Sequence, residues 1–240
     1  MKPIYLFLFL PFLLGACQSD KTQESSIPVY HAGALHKIMQ EGDISAKLDL
    51  DSLVNRPNLF GLGPAENLKG EILIWGSKAY LTTVAGSGLA TYNGFRKKAA
   101  LLVYSEVARW DSLVLPPTIS DLVQLEPFLE ESAAKAGINT DAPFPFLLIG
   151  QPKVINWHVI DWDVNDPVHT HEKHQQAGMK SGWKDTPTEI LGFYSQQPGL
   201  FTHMGSKIHL HVTTPDRRLV AHLDGANGIE GMVLYLPKIE

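Results

Sequence analysis

Short runs that are either mainly apolar or alternately apolar and polar recur along most of the chain, and such runs predict β-strands. The runs are residues 71–75, 78–81, 99–108, 146–150, 153–162, 189–195, 207–212, 218–224 and 232–237. Alternation with a period of two is typical of a strand with one buried face. Gly76-Ser77 predicts a tight hairpin between the first two runs, and the segment 150–152 predicts a hairpin between the fourth and the fifth.

Two other segments, residues 31–40 and 120–136, carry apolar residues at the spacing of one helical face. Residues 48–53 fit either a short helix or a strand, and residues 163–189 show no regular pattern. The chain is therefore predicted to be rich in strands with few helices, in an α+β or mainly β architecture.

The composition supports a folded core and narrows the class of partner. The chain has 240 residues, of which 44% are hydrophobic, enough for one large domain or two small ones. Its 20 basic residues oppose 25 acidic residues, for a net charge of −5, and neither sign forms a long run. This balance argues against nucleic acid or an anionic membrane surface, and favours a small molecule or another protein.

The first 16 residues resemble a bacterial secretory signal. Lys2 precedes an apolar run over residues 4–14, which is too short to span a bilayer comfortably. Leu14-Gly15-Ala16-Cys17 resembles a lipobox, which predicts cleavage before Cys17 and lipid attachment to it. The alternative is a plain signal peptide with an accidental cysteine. We expect an exported, lipid-anchored lipoprotein that faces the periplasm or the cell surface and contacts the membrane through Cys17 alone.

After this signal, residues 17–27 are polar and are expected to form a flexible tether. The folded part of the chain is therefore expected to begin near residue 27. Cys17 is the only cysteine in the chain, which excludes an intrachain disulfide.

The stretch KIHLHVTTPDRRLVAHLD, residues 207–224, carries three histidines inside two strand patterns. Side chains alternate along a strand, so His209 and His211 lie on the same face of the first one. Residues 214–217 suit a type I turn because proline occupies the second position. The stretch is therefore predicted to be a β-hairpin.

Closing the hairpin at this turn pairs Thr213 with Arg218 and places His209 opposite His222. Directly opposed side chains have Cβ atoms roughly 4.5–5.5 Å apart, so this register predicts that the three imidazoles converge. A slip of one residue would turn His222 to the opposite face.

Three neutral imidazoles with an open coordination position are typical of a catalytic zinc site. Nickel, cobalt, manganese and iron accept similar ligands, so the identity of the divalent metal stays open. The alternative is a solvated hairpin face, since His-x-His often occurs without a metal. Asp224 lies on the same face, where it could orient a ligand ring or belong to a turn.

Several blocks of the sequence, in this order, resemble the α-acetolactate decarboxylase family. VYHAGALHKIMQEGDIS (29–45) is similar to its N-terminal helix and acidic turn. FGLGPAENLKGEILIWGSKAYL (60–81) is similar to its Phe-Gly-Leu-Gly and Gly-Glu segments. ILGFYS (190–195), IHLHV (208–212) and Ala221-His222-Leu223-Asp224 resemble its zinc-binding block. The resemblance spans roughly residues 28–225. It implies an acetolactate-decarboxylase-like α+β fold with few helices over residues 28–240, made of two closely packed β-rich subdomains that meet near residues 140–165.

The resemblance also implies a set of functional residues. The zinc ligands correspond to His209, His211 and His222, and an active-site glutamate corresponds to Glu71. Without the resemblance, Glu71 would be read as a carboxylate at the end of a strand, in water.

Two features depart from the family pattern. The family's catalytic arginine lies in a Lys-Thr-Arg context on the strand before the zinc block, and here His158 stands near that place. His158 and Lys153 are therefore the candidates to hold a substrate carboxylate. A second family glutamate has no clear counterpart. The segment HTHEKH, residues 169–174, is expected to be an exposed loop, with the mouth of the site as the alternative location.

The resemblance implies zinc-dependent decarboxylation of 2-acetolactate to acetoin and CO2, with Glu71 as a proton relay or polar anchor and His158 as a further catalytic residue. One alternative is a zinc enzyme that acts on another 2-hydroxy-3-oxo acid. Another alternative is a metal-binding lipoprotein without catalytic activity. The expected partner is a small keto acid, and a homodimer is compatible with the sequence.

Overall fold

The structure is a computed structural model that describes residues 26–239. The expected signal segment, Cys17 and most of the expected tether lie outside these residues. Within the described range, no helix combines the length and the apolar character that crossing a membrane requires. The division into two subdomains stays a prediction.

Strands form most of the regular structure, which confirms the predicted strand-rich fold class. They are β1 Val29–Ala32, β2 Leu48–Asp49, β3 Leu59–Pro64, β4 Glu71–Trp75, β5 Lys78–Ala85, β6 Gly88–Asn93, β7 Lys98–Ala99, β8 Leu102–Glu106, β9 Trp110–Val114, β10 Phe144–Gly150, β11 Val154–Val159, β12 Met179–Lys184, β13 Thr188–Tyr194, β14 Ile208–Thr213, β15 Val220–Asn227 and β16 Val233–Pro237. The helices are α1 Leu35–Glu41, α2 Leu122–Lys135 and α3 His171–Gln176, with short 3-10 turns at Leu50–Leu53 and Glu66–Leu68.

The strands form two large antiparallel sheets and one short ribbon. The smaller sheet has six strands in the order β1-β8-β3-β4-β5-β6, and the larger has eight in the order β12-β11-β15-β14-β13-β10-β16-β9. The ribbon pairs β2 with β7. The smaller sheet comes from the first half of the chain, and the larger comes from the second half together with β9.

The two large sheets pack face to face around a shared core. This core joins Leu62 and Leu73 of the smaller sheet to Leu191 and Phe193 of the larger one. The other face of the larger sheet packs under α2, where Leu125 belongs to a separate apolar cluster. Each fully buried side chain of this size stabilises the fold by roughly 1.5–3 kcal/mol. Packing on both faces therefore holds the larger sheet in a fixed position.

Helix α2 confirms the helix predicted at residues 120–136. Its first turn is capped by Asp121, whose carboxylate accepts a hydrogen bond from the Gln124 N–H at 2.9 Å. Leu125, Leu129 and Ala133 recur every four residues and are all buried. The apolar stripe that the sequence shows is thus the face that covers the larger sheet.

Because side chains alternate along β14, they pack against two different layers of the structure. Ile208, Leu210 and Val212 join the cluster under α2. His209 and His211 point the other way, toward the smaller sheet, and both are buried. The pattern KIHLHV therefore encodes a strand that is buried on both faces, with the histidines on the face between the sheets.

The hairpin between β14 and β15 forms, but its predicted register is wrong by two residues. His211, rather than His209, lies opposite His222. The expected turn is present, with the Arg217 N–H donating to the Thr214 carbonyl at 2.8 Å. Arg217 then adopts a left-handed φ of 53°, which lengthens the loop beyond the four residues of the turn. Because the shift is an even number of residues, the three histidines still share one face.

The hairpin predicted at residues 150–152 does not form. Strand β10 pairs with β13 and β16, whereas β11 pairs with β12 and β15. The Lys153 N–H donates to the Gly228 carbonyl at 3.2 Å, which directs the chain away from β10 as β11 begins. By contrast, the hairpin predicted at Gly76-Ser77 is confirmed by the pairing of β4 with β5.

Other differences arise where glycine or polar residues interrupt the pattern. The predicted helix 31–40 begins only at Leu35, because the chain first forms β1 and then turns at Gly33, whose φ is 77°. The irregular segment 163–189 contains α3 and β12. Strand β3 was not predicted, because its glycines suggest a turn. At one of them, Gly61, an added Cβ would lie only 2.9 Å from the Tyr104 Cβ on the neighbouring strand. That glycine permits close approach of β8 rather than a turn.

Gly192 in β13 provides a test of the packing between β10 and β14. A Cβ at this position would lie 2.3 Å from the Phe146 Cζ, inside the core. We expect Gly192→Ala to lower the free energy of unfolding by about 2 kcal/mol through overpacking, measured by urea denaturation. Gly88→Ala is the control, because a Cβ there meets nothing within 4 Å. Equal shifts in the two variants would contradict the packing described here.

Candidate metal centre

Histidines from three adjacent strands line the face of the larger sheet that meets the smaller one. His158 of β11 lies opposite His222 of β15, and His222 lies opposite His211 of β14. His209 is two residues from His211, on the same face. The ring centroids of His209, His211 and His222 are 5.1 to 5.7 Å apart. The structure thus brings together the three residues that the sequence singled out as ligands.

Each of these three rings carries at least one buried nitrogen without a hydrogen-bond partner, as a metal ligand requires. His209 Nδ1, His211 Nε2 and both ring nitrogens of His222 have no hydrogen-bond partner. His211 Nδ1 donates to the Ile72 carbonyl at 2.9 Å, which leaves the lone pair on Nε2. An unsatisfied buried polar atom costs about 1–3 kcal/mol, and a bound cation would relieve that cost. The donor set therefore suits a divalent metal that accepts imidazole.

The electrostatics of the cluster favour the neutral, ligand form of the rings. Burial, followed by repulsion from His222, holds the pKa values of His209 and His211 well below their ordinary range. Burial also lowers the pKa of His222, although Asp224 acts in the opposite direction. Metal binding therefore requires no displacement of a proton from these rings near neutral pH.

Glu71 approaches the cluster from the smaller sheet. It is the first residue of β4, is only 2% exposed, and places its Oε2 3.3 Å from His211 Nε2. Burial raises its pKa to about 7, against the opposing effects of the His158 charge and of the Ile160 N–H. The Ile160 N–H donates to Glu71 Oε1 at 3.4 Å. A carboxyl group with this pKa exists in both protonation states near neutral pH, as a group that relays protons requires.

His158 lies beside the cluster and is held by Asp224. Its Nδ1 donates to Asp224 Oδ1 at 2.7 Å, and its ring packs against that of His222 with centroids 4.8 Å apart. Burial acts to raise the Asp224 pKa, but hydrogen bonding to His158 and the proximity of His222 outweigh burial and hold it below the ordinary range. Asp224 is therefore an ionised acceptor, and the Nε2 of His158 is left free to contact a ligand.

A second possible donor set shares His222. Ligand atoms of His158, His222 and Asp224 lie within 4.8 Å of one another. The 2.7 Å bond between His158 and Asp224 already satisfies one atom of each, whereas His209 Nδ1 and His211 Nε2 have no hydrogen-bond partner. Among the described residues, only the group of His158, His222 and Asp224 has three ligand atoms at the 4.8 Å spacing. The three-histidine set is the candidate because of its unpaired nitrogens, with His158 and Asp224 as its supporting neighbours.

An apolar cavity of about 50 Å³ opens in front of the cluster. Its apolar wall consists of Leu35, Ile38, Pro64, Leu68, Leu101 and Ile160. Its polar wall consists of Glu71, His158, His171, His174, Gln175, His203, His209 and His222. Within the described part of the chain, no lysine or arginine contributes to this lining. The cavity is thus a small, mostly apolar chamber with imidazoles and one carboxyl group at its end.

The expectation of an exposed loop at HTHEKH is wrong. The Thr170 side chain caps α3, which begins at His171, and this short helix covers the cavity. His174 is buried, its Nε2 lies 2.8 Å from His169 Nδ1, and both rings pack against Trp162. Burial lowers the His174 pKa to about 4, so its ring is neutral near pH 7. The segment lines the mouth of the site, which was the alternative interpretation.

Of the two residues considered as replacements for the family arginine, only His158 lies at the cavity. Lys153 Nζ pairs with the exposed Asp185 at 3.1 Å, on the edge of the larger sheet. His203 is a cavity residue that the sequence did not single out. It lies in the loop between β13 and β14, with its ring centroid 5.9 Å from that of His222. Its position six residues before His209 fits no regular periodicity, so only the folded loop reveals it.

Asp224 offers a test of how the neighbours of the cluster support metal binding. In Asp224→Asn the negative charge that orients His158 and contacts His222 is lost. We expect the affinity for Zn²⁺ to fall by about tenfold or more, as measured by competition with a chromogenic chelator. Asp185→Asn, which alters an exposed carboxylate paired with Lys153, is the control. Equal affinities for the two variants would show that Asp224 does not support the site.

The two-sheet architecture is an acetolactate-decarboxylase-like fold, as comparison with solved structures shows. A scan of protein-family models finds no match for this chain, and a search of curated proteins finds none either. Comparison with solved structures does find matches, and these show the fold.

The matching structures cover most of the chain at low sequence identity. A Staphylococcus aureus protein, described as of unknown function and similar to α-acetolactate decarboxylase, superposes with a TM-score of 0.70 at 13% identity, over 88% of this chain and 86% of its own. The α-acetolactate decarboxylase of Bacillus subtilis strain 168 superposes with a TM-score of 0.68 at 12% identity, over the same shares. The acetolactate decarboxylase of Bacillus subtilis subspecies spizizenii superposes with a TM-score of 0.70 at 12% identity. The predicted structural resemblance is confirmed, and the identity fits a divergent relative.

Proposed function

We propose that the chain is a metal-dependent carboxy-lyase that converts 2-acetolactate to acetoin and CO2. One observation carries the proposal: the rings of His209, His211 and His222, each with a buried unpaired nitrogen, lie with centroids 5.1 to 5.7 Å apart beside the buried carboxyl of Glu71. Support also comes from the fold, which the chain shares with acetolactate decarboxylases over 88% of its length.

The reaction breaks one carbon–carbon bond and forms one carbon–hydrogen bond. When the carboxylate leaves as CO2, its bonding electrons move toward the neighbouring ketone oxygen and give an enediolate. A proton added to the former carboxyl-bearing carbon then yields acetoin. A divalent cation held by His209, His211 and His222 would supply Lewis-acid stabilisation of the negative charge on oxygen. Zinc is the metal that we propose, because neutral imidazoles in a set of three suit it best.

Glu71 is the residue proposed to move the proton. Its carboxyl group lies 3.3 Å from the His211 ring, at the wall of the apolar chamber, where it can carry a proton to the substrate. Protonated Glu71 would deliver that proton to the enediolate carbon. The apolar wall formed by residues such as Leu68, Leu101 and Ile160 would exclude water, so that Glu71 is the nearby donor.

His158 is the residue proposed to contact the departing carboxylate. Asp224 accepts the Nδ1–H, so the protonated form of the ring would donate its Nε2–H to the substrate carboxylate. A single imidazole offers one contact, where a guanidinium would offer two parallel ones. This difference favours a second candidate substrate class, another 2-hydroxy-3-oxo acid whose carboxylate is held less firmly.

The proposed place of action is outside the cytoplasm. The support is the signal-like segment over residues 1–16 and the lipobox that ends at Cys17. We expect metabolic labelling with a fatty acid to mark the wild-type protein and not Cys17→Ser. In that location the substrate would be acetolactate that has left the cell. Equal labelling of both proteins would reject the lipid anchor.

The decisive experiment measures metal and turnover together. The purified protein is stripped with a chelator, reloaded with Zn²⁺ and supplied with racemic 2-acetolactate, while acetoin and CO2 are followed. We expect acetoin from the loaded protein and none above background from the stripped protein. Stoichiometric zinc without acetoin would redirect the search to other 2-hydroxy-3-oxo acids or to a binding function. Failure to retain any metal would reject the proposed centre.

A further inference from the structure

Three cavities meet at His171 and His203. The chamber that contains Glu71, a cleft of about 390 Å³ beside α2 and a cleft of about 250 Å³ beside α1 share both residues in their walls. The two rings pack edge to face, with centroids 4.3 Å apart. The pair therefore stands between the buried chamber and both outer clefts.

These two residues begin a row of imidazoles that runs from solvent to the candidate centre. His171 is exposed and His203 is half-buried, whereas the side chain of His222 is 15% exposed. His209 and His211 end the row and are only 6% and 0% exposed. Successive ring centroids from His171 through His203 and His222 to His209 are 4.3, 5.9 and 5.1 Å apart.

The chemistry of the row suits a cation that must lose water before it reaches a buried site. A hydrated divalent ion cannot enter an apolar chamber without replacing its water ligands, since desolvating a charge is costly. Imidazole nitrogens replace water on such ions, and rings at this spacing allow the replacement to occur stepwise. His171 and His203 come from α3 and from the loop between β13 and β14, so they lie at the mouth rather than within the sheet.

We propose that His171 and His203 form a transient divalent-cation site, which captures the ion and passes it by way of His222 to the buried centre. The inference rests on the proposed metal centre and adds a route to it. It predicts that the pair controls how fast the metal arrives, while the final affinity is set by His209, His211 and His222.

The test compares the rate and the equilibrium of metal uptake. Metal-free wild type and the double variant His171→Gln/His203→Gln are mixed with Zn²⁺ in a stopped-flow instrument, with a chromogenic chelator as the reporter. Glutamine keeps most of the side-chain volume but removes the imidazole. We expect the uptake rate to fall by about tenfold, while the equilibrium affinity and stoichiometry change by less than about twofold. His31→Gln, at an exposed position in β1, is the control with wild-type kinetics.

A second pair of variants separates metal binding from packing. His171→Cys replaces one metal ligand with another and is expected to retain fast uptake, whereas His171→Ser, of nearly the same size, is expected to be slow. Circular dichroism and thermal melting establish that each variant is folded.

Other outcomes would overturn the proposal. Unchanged or faster uptake in the double variant would mean that the two rings only fill the mouth. An equilibrium affinity that falls in parallel with the rate would make them ligands of the resident site. The assay contains no substrate, so inactivity toward 2-acetolactate does not alter its result. If the wild type binds no zinc, both the route and the centre are rejected.

Discussion

Replacing His209 with alanine is expected to abolish metal binding and acetoin formation together. His209 Nδ1 is one of the buried, unpaired nitrogens of the cluster, and its ring centroid lies within 5.2 Å of those of His211 and His222. With two imidazoles left, the donor set is too small to hold a divalent ion tightly in competition with solvent. Several kcal/mol of transition-state stabilisation would be lost, which corresponds to a rate reduction on the order of 10³-fold.

The measurement combines metal analysis with an acetoin assay on the same preparation. His31→Ala is the matched control, because His31 lies in β1, is exposed and bonds only locally to the Gly33 carbonyl at 3.0 Å. Thermal melting of both variants distinguishes loss of the site from loss of the fold. A His209→Ala protein that lacks metal but retains full turnover would rule out metal participation in the reaction.

Glu71→Gln is expected to separate catalysis from metal binding. Glutamine keeps the shape of the side chain and can still accept a hydrogen bond from the Ile160 N–H, but it cannot carry a transferable proton. Removal of a general acid typically reduces the rate on the order of 10²–10⁴-fold. The zinc content should remain that of the wild type, because the three imidazoles are intact.

The stability of this variant provides an independent check on the buried carboxyl group. Burial raises the Glu71 pKa to about 7, so that ionising the group in the folded protein costs free energy. We therefore expect metal-free Glu71→Gln to be at least as stable as the metal-free wild type near pH 8, where the wild-type carboxyl is ionised. Glu106→Gln, at an exposed position in β8, is the control for both activity and stability. Wild-type turnover in Glu71→Gln would remove Glu71 from the mechanism.

The sequence predicts the strands and their faces more accurately than it predicts which strands pair and in which register. The alternation in KIHLHV correctly places His209 and His211 on one face, because that alternation is a local property of an extended chain. The register of the hairpin was wrong by two residues, because Arg217 adopts a left-handed conformation that the letters TPDRR do not specify. The pairing of β10 with β11 was wrong for a related reason. Adjacent strands in sequence are often neighbours in a sheet, but here the chain crosses over.

The candidate site shows the same division between local and distant interactions. The three histidines are encoded within 14 residues of one hairpin, close enough for periodicity to relate them. The approach of Glu71 to His211 joins residues 140 positions apart, on different sheets. The family resemblance indicated Glu71, whereas its burial and its 3.3 Å contact with the His211 ring follow only from the packing of the sheets.

The sequence by itself determined the strand-rich class, the face that carries the histidines and the absence of an intrachain disulfide, because each depends on residue type and on a short repeat. Only the tertiary structure decided which atoms of these side chains are unpaired, that α3 covers the cavity and that His171 and His203 meet at its mouth. These features depend on how two sheets and a loop distant in sequence pack together. Packing of this kind is set by the sum of many weak contacts across the core rather than by any local pattern.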